Sequence, residues 1–331
     1  MTRPVMRAEV AALLLTMAAL DRPPLDGLSF EELQATIQQT LATNADPCRD
    51  DLHRIEDLRI PRSDGTGLPA RLYSAHASSE TRPVVLFFHG GGFMTGNLDT
   101  HQALAADIAA HLEWTVVAVD YRLAPQHPFP AAVDDAMSAL EWLDAGPGLL
   151  GHPLSGIVLA GDSAGGTLAA VCAGEAGRTV HPLLCHWLMY ATLDLGAKGG
   201  SMDEFAEGHF LTRSMMQTFR QAYLPAGIDW SDPRVSPLHA DSLVQRPPAM
   251  IFTCEFDPLR DQARRYAERL VAAGVAVRYR EGAGLVHGAF TTRRVVPSAS
   301  SDLLQCADDV RSLVTEGLAT RALHLEGPGS A

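Results

Sequence analysis

No stretch of this chain reaches the roughly 18 consecutive apolar residues that a helix needs to cross a bilayer, so nothing in it reads as a membrane span. A shorter apolar run, Ala11–Leu20, follows Arg3 and Arg7 and has the outline of a secretion signal. Glu9 interrupts its start, however, and Asp21-Arg22-Pro23-Pro24 stands where small cleavage-site residues would be, which favours an amphipathic helix lying over something. Cysteine is scarce and scattered: Cys48, Cys172, Cys185, Cys254 and Cys306 are odd in number and show no C-x-x-C spacing. They read as small buried hydrophobes in a reducing, cytoplasmic compartment. No His/Asp cluster has metal-ligand spacing, so no metal is expected, and neither G-x-G-x-x-G nor a GK[ST] loop occurs, which makes a phosphate cradle a weak reading. Positive charge is in deficit as well. At a net charge of −13 the surface repels phosphate backbones and anionic lipid, which excludes nucleic acid and membrane as expected partners.

What remains is a globular composition, 47% hydrophobic and 20% charged, in 331 residues without repeats or low-complexity blocks. The runs Val84–Phe88, Val116–Val119, Ile157–Ala160, Leu183–Tyr190 and Met250–Cys254 are almost continuously apolar. Strands of that kind are buried on both faces, which predicts a mostly parallel sheet flanked by helices. Between them Leu104–Leu112, Ala131–Leu143, Ala164–Ala176 and Arg260–Ala273 read as helices, the last closed by Gly274. The alternation predicts an α/β architecture. Residues 1–45 fall outside this rhythm, with helical patterns at Arg7–Leu20 and Phe30–Leu41 and a capping box at Ser29 and Glu32. Residues 196–236 are irregular. Both segments are expected to form a cap over a domain spanning 46–331, and the Gly- and Ser-rich tail after Leu323 is expected to fray.

The strongest local motif is Gly161-Asp162-Ser163-Ala164-Gly165-Gly166, a G-x-S-x-G preceded by a strand and followed by a helix. A sharp turn between the two holds a serine hydroxyl clear of the backbone, and small flanking residues let it close. Upstream, Val84–Phe88 runs into His89-Gly90-Gly91-Gly92-Phe93. Glycine admits backbone conformations in which two amides converge on one oxygen, so Gly91 and Gly92 are candidate oxyanion donors together with Ala164. His89 and Gly90 belong to the same loop, with His89 expected to orient it.

An acid and a base should follow the serine in chain order. Asp257 lies just past the strand Met250–Cys254, whereas its competitor Glu255 is too close to the strand and Asp261 is expected to point outward from a first helical turn. After a strand over Val275–Arg280, the glycine-rich stretch Gly282–Gly288 contains His287, placed to swing an imidazole back toward Ser163.

These residues carry a resemblance. With HGGGF at His89–Phe93, DYRLAPQHPFPAAVDD at Asp120–Asp135, GDSAGG at Gly161–Gly166, CEFDPLRD at Cys254–Asp261 and His287-Gly288, the chain resembles the bacterial hormone-sensitive-lipase family (family IV) of α/β-hydrolase esterases. The resemblance covers nearly the whole chain. It implies serine-dependent hydrolysis of small-molecule carboxylic esters with short or medium acyl chains, no cofactor, and a site built from Ser163, Asp257, His287 and the His89–Gly92 loop. Two positions depart from the pattern: Gln126 stands where the family usually has Glu, and Phe290 comes one residue later than in the usual His-Gly-Phe. A sugar or drug deacetylase on the same fold stays open as an alternative. A non-catalytic binding protein is disfavoured because His287 is in place. A homodimer is compatible with the sequence.

Overall fold

The structure, a computed structural model, describes residues 5–19, 28–62, 64–77 and 79–325. Two of the expectations above, the Pro-rich stretch 21–24 and the tail from 326 onward, lie outside the described residues. In chain order, α1 (Ala8–Ala19) and α2 (Phe30–Asn44) precede the hairpin β1 (Arg54–Pro61) and β2 (Gly67–Ser74). The alternation then runs β3 (Arg82–Phe88), α3 (Gln102–Leu112), β4 (Thr115–Val119), α4 (Ala131–Asp144), β5 (Leu154–Asp162), α5 (Ala164–Cys172) and β6 (Leu183–Met189). After α6 (Ser201–Glu204) and α7 (Arg213–Tyr223) come β7 (Ala249–Phe256), α8 (Arg260–Ala272), β8 (Val277–Val286) and α9 (Ala299–Leu325).

The eight strands form one sheet in the order β1-β2-β4-β3-β5-β6-β7-β8. From β4 to β8 every pairing is parallel, while β2 is antiparallel to both β1 and β4. The period of two along β3 divides the core. Val84, Leu86 and Phe88 pack with α4, α5 and α8, whereas Val85 and Phe87 pack with α3 and α9 on the opposite face. Strands covered on both faces in this way cannot alternate polar with apolar side chains, which is why they were legible as apolar runs. The outer strand β1 carries Arg54, Glu56, Asp57 and Arg59 and is largely exposed, so it has no such signature.

The two N-terminal helices differ in placement. Helix α1 lies against β8 and α9: Val10 is buried, the Arg7 amide donates to the Gly284 carbonyl at 3.1 Å, and the Arg7 guanidinium pairs with Asp302 at 2.8 Å. Helix α2 begins with the Ser29–Glu32 capping box and lies at the C-terminal ends of the strands. Ligands of open α/β sheets bind at that edge, because loops there diverge and helix N-termini point into the gap.

Candidate active site

Ser163 stands alone between the end of β5 and the start of α5, with φ 52° and ψ −117°. A non-glycine residue in that conformation costs on the order of 1–3 kcal/mol, so the surroundings must impose it. They do so through the backbone: the Ser163 amide donates to Met189 O at 2.9 Å, and its carbonyl accepts from Gly166 at 3.0 Å and Thr192 at 3.2 Å. The flanking glycines have a steric reason. A Cβ on Gly165 would stand 2.0 Å from Phe88 O, and one on Gly161 would stand 2.3 Å from the Gly165 backbone.

His287 follows β8 directly. The glycine-rich stretch expected as a loop is instead the end of that strand, which runs to Val286 and not to Arg280. A register shift opposite Cys254 and Phe256, with Gly284 at φ +73°, accommodates the glycines within the ladder. His287 Nδ1 lies 2.8 Å from Asp257 Oδ2, and its Nε2 lies 3.0 Å from Ser163 Oγ. Asp257 is fully buried just past β7, and its other oxygen accepts from the Leu259 amide at 2.8 Å. That network assigns the tautomer: Nδ1–H donates to the carboxylate, and Nε2 is free to accept from the serine hydroxyl.

The two competitor acids are engaged elsewhere. Glu255 accepts from the Gly284 amide at 2.7 Å. Asp261 does not point outward; it is half-buried, accepts from the Ser201 amide at 2.9 Å and pairs with Arg260 and Arg264. Lying one turn from Asp257 on the face toward α6, it anchors that short helix. Phe290, the displaced aromatic, is fully buried and stacks on Phe252 at 4.4 Å, with Tyr190 between it and the His287 ring.

The glycine loop is fixed from two sides. The Gly90 amide donates to Asp162 Oδ1 at 2.8 Å, which ties the loop to the elbow, and His101 Nε2 lies 3.5 Å from the same oxygen. His89 is buried, and burial with the neighbouring His101 pushes its pKa down to about 3, so the ring is neutral. Its Nδ1–H donates to Gly90 O at 2.8 Å, while its ring stacks on Tyr121, whose hydroxyl donates back to His89 O at 2.7 Å. A Cβ on Gly91, at φ +120°, would meet Thr95 O at 2.1 Å. Among the described residues, no backbone carbonyl or side chain accepts from the amides of Gly91, Gly92 or Ala164.

Ser163 and His287 open into a cavity holding about 1030 Å³ of open space. Its wall is largely apolar and comes from Ile37 and Leu41 of α2, Met215, Met216 and Phe219 of α7, and Phe210 and Leu211 before it. No described residue of α1 lines it. The sequence assigned no site role to Asp162, His101, Tyr190 or Arg220, and the last three meet the site only through tertiary contacts. Asp162 had the one available signal, its position inside the elbow motif. Among the described residues no cluster of three or more His, Cys, Asp or Glu could hold a metal ion, and no helix is long and apolar enough to cross a membrane.

A serine at a strained strand-to-helix turn, faced by a buried His–Asp pair across the ends of a mostly parallel sheet, defines an α/β-hydrolase. Residues 85–291 match the family model described as alpha/beta hydrolase fold, and the chain belongs to this family, in its hormone-sensitive-lipase branch. It is 41% identical over 254 residues to the carboxylesterase NlhH of Mycobacterium tuberculosis, spanning 75% of this chain and 79% of that one. It is 37% identical over 294 residues to the esterase LipI of the same organism, spanning 86% and 90%. An ester hydrolase from the metagenome of Lake Arreo, solved with a derivative of bipyridine phosphonate, has a TM-score of 0.88 at 30% identity, covering 93% of this chain and 99% of that one.

Proposed function

We propose that this protein is a serine carboxylesterase acting on short- to medium-chain acyl esters, with Ser163 as nucleophile, His287 as general base and acid, and Asp257 as the group that orients the imidazole. The observation that carries the reading is the unbroken hydrogen-bond line from Ser163 Oγ through His287 to Asp257, at 3.0 and 2.8 Å, on the wall of an apolar cavity.

The chemistry follows from that line. Ser163 Oγ attacks the ester carbonyl as His287 Nε2 takes its proton, and the buried Asp257 carboxylate stabilises the imidazolium. The carbonyl oxygen becomes an oxyanion, which the amides of Gly91, Gly92 and Ala164 receive; the N-terminus of α5 adds partial positive charge. His287 protonates the departing alcohol, leaving an acyl-serine. Water attacks it with the same proton relay and releases the acid. In this reading α2 and the segment 196–236 form the cap that excludes water from the acyl chain, while α1 braces β8. The five free thiols fit a cytoplasmic location.

The test is a series of p-nitrophenyl esters from acetate to palmitate, combined with organophosphate labelling. Each methylene buried gains about 0.8 kcal/mol, so kcat/KM should climb with chain length until the cavity ends. Labelling should occur at Ser163 alone and abolish turnover. Full activity in Ser163→Ala, or a rate that jumps when an emulsion forms, would overturn the assignment.

A further inference from the structure

One end of the cavity is basic, out of character for a chain with net charge −13 and a single lysine. Arg220, in the last turn of α7, lines the cavity beside Ser163 and also an adjoining one holding about 670 Å³ of open space. That second space is walled by the lone lysine, Lys198, together with Arg213 and Gln217. Its one lining carboxylate, Asp203, is paired with Arg213 at 2.7 Å. Neither Lys198 nor Arg220 has an ion-pair partner among the described residues.

Arg220 itself is incompletely satisfied. One guanidinium nitrogen donates to Leu195 O at 2.8 Å, and the group lies over the Trp230 ring at 5.2 Å, but Nε is buried and has no hydrogen-bond partner among the described residues. Burial accordingly lowers its pKa from the ordinary arginine value. Among the described residues neither of the two carboxylates that line the main cavity pairs with it. Asp162 accepts from Gly90, and Asp194 accepts from Gly196 at 2.9 Å and faces His239 at 3.3 Å. A desolvated N–H with no acceptor is costly, and Arg is the side chain best suited to a carboxylate partner.

We propose that the physiological ester carries a carboxylate at the end remote from its scissile bond, received by Arg220 with Lys198 at the mouth of the adjoining cavity. This rests on the esterase reading and names the substrate class of that site. The reaction is unchanged: the anionic end binds, and the ester bond is hydrolysed at Ser163.

Two substrate series test it in the full-length protein. Monomethyl esters of succinic to suberic acid, against methyl alkanoates of equal length, put the charge on the acyl arm. Carboxyalkyl acetates, against alkyl acetates, put it on the alcohol arm. In one series the charged ester should be favoured by about tenfold or more in kcat/KM, mainly through KM, the scale of one charge-assisted hydrogen bond. Added salt should erode that preference. Arg220→Gln should abolish it, and Lys198→Gln, at an exposed position, should reduce it several-fold and decides the matter if the arginine variant does not fold. Neutral esters favoured in both series, a preference that survives in Arg220→Gln, or, if that variant does not fold, a preference undiminished in Lys198→Gln, would overturn the proposal while leaving the esterase reading intact. No turnover of any ester would overturn both.

Discussion

Replacing Gln34 or Gln38 of α2 by alanine should slow the enzyme as well as destabilise it. The two side chains are one helical turn apart and reach the glycine loop together. Gln34 Nε2 donates to Met94 O at 2.7 Å and Ala124 O at 3.1 Å, Gln126 Nε2 donates to Gln34 Oε1 at 3.0 Å, and the Gly96 amide donates to Gln38 Oε1 at 2.8 Å. At about 1 kcal/mol net for each, the four bonds sum to about 4 kcal/mol, and partial solvation of the half-buried partners brings the loss to about 2–3 kcal/mol. The loop keeps its ties through Gly90 to Asp162 and through Phe93 O to the Ala124 amide, so part of that loss reaches the Gly91 and Gly92 amides. Each 1.4 kcal/mol of transition-state stabilisation is about tenfold in rate. We expect kcat to fall about threefold in Gln38→Ala and about tenfold in Gln34→Ala, with little change in KM, because an oxyanion exists only on the way to the transition state. The assay is kcat and KM on p-nitrophenyl butyrate beside thermal denaturation of each variant. A lower melting temperature with kcat unchanged per folded molecule would refute the reasoning and leave α2 as a wall only. Gln126→Glu, which restores the residue more usual in the resembling family, should also reduce kcat, by about twofold to threefold. The new carboxylate would face Gln34 Oε1, and turning that amide over would point its oxygen at two carbonyls.

Asp257→Asn should preserve the fold and lower kcat by roughly 10⁴, since the amide favours the wrong imidazole tautomer. Asp162→Asn, which can still accept from Gly90, and Asp261→Asn, which loosens α6, should cost far less in kcat; greater damage from Asp261→Asn would reverse the choice of acid. His186 offers a stability test away from the site. It is buried in β6, neither ring nitrogen has a hydrogen-bond partner among the described residues, and burial pushes its pKa from 6.5 down to about 3. Its neutral ring contributes stability that is fully present above pH 6.5 and lost as pH falls toward 3, because the unfolded chain takes up the proton first. At about pH 5 the loss is about 2 kcal/mol. His186→Phe should remove this component, so its urea midpoint should fall less between about pH 7 and about pH 5 than that of the unsubstituted protein. Equal falls would refute it.

The sequence by itself determined the α/β class, six of the strands (the last with its C-terminal end placed too early), most helices of the alternation and the order in which Ser163, Asp257 and His287 meet the strand ends. Each depends on local pattern: apolar runs where both faces are covered, helical stretches between them with a glycine where one ends, and small residues where a turn must close. The structure alone decided what depends on contacts between distant segments. The hairpin of β1 and β2 escaped notice because an exposed edge strand tolerates charge. The glycines of 282–284 looked like a loop because a bulged register is set by the neighbouring strand β7. That His287 stands within hydrogen-bond distance of both Ser163 and Asp257 is a distance across 124 and 30 residues of chain, respectively. The links of Asp162 to the glycine loop, of α2 to that same loop, and of Arg220 to the cavity have no local signature either. A polar side chain looks the same in sequence whether it ends in water or against a carbonyl from elsewhere in the chain, and only packing chooses between them.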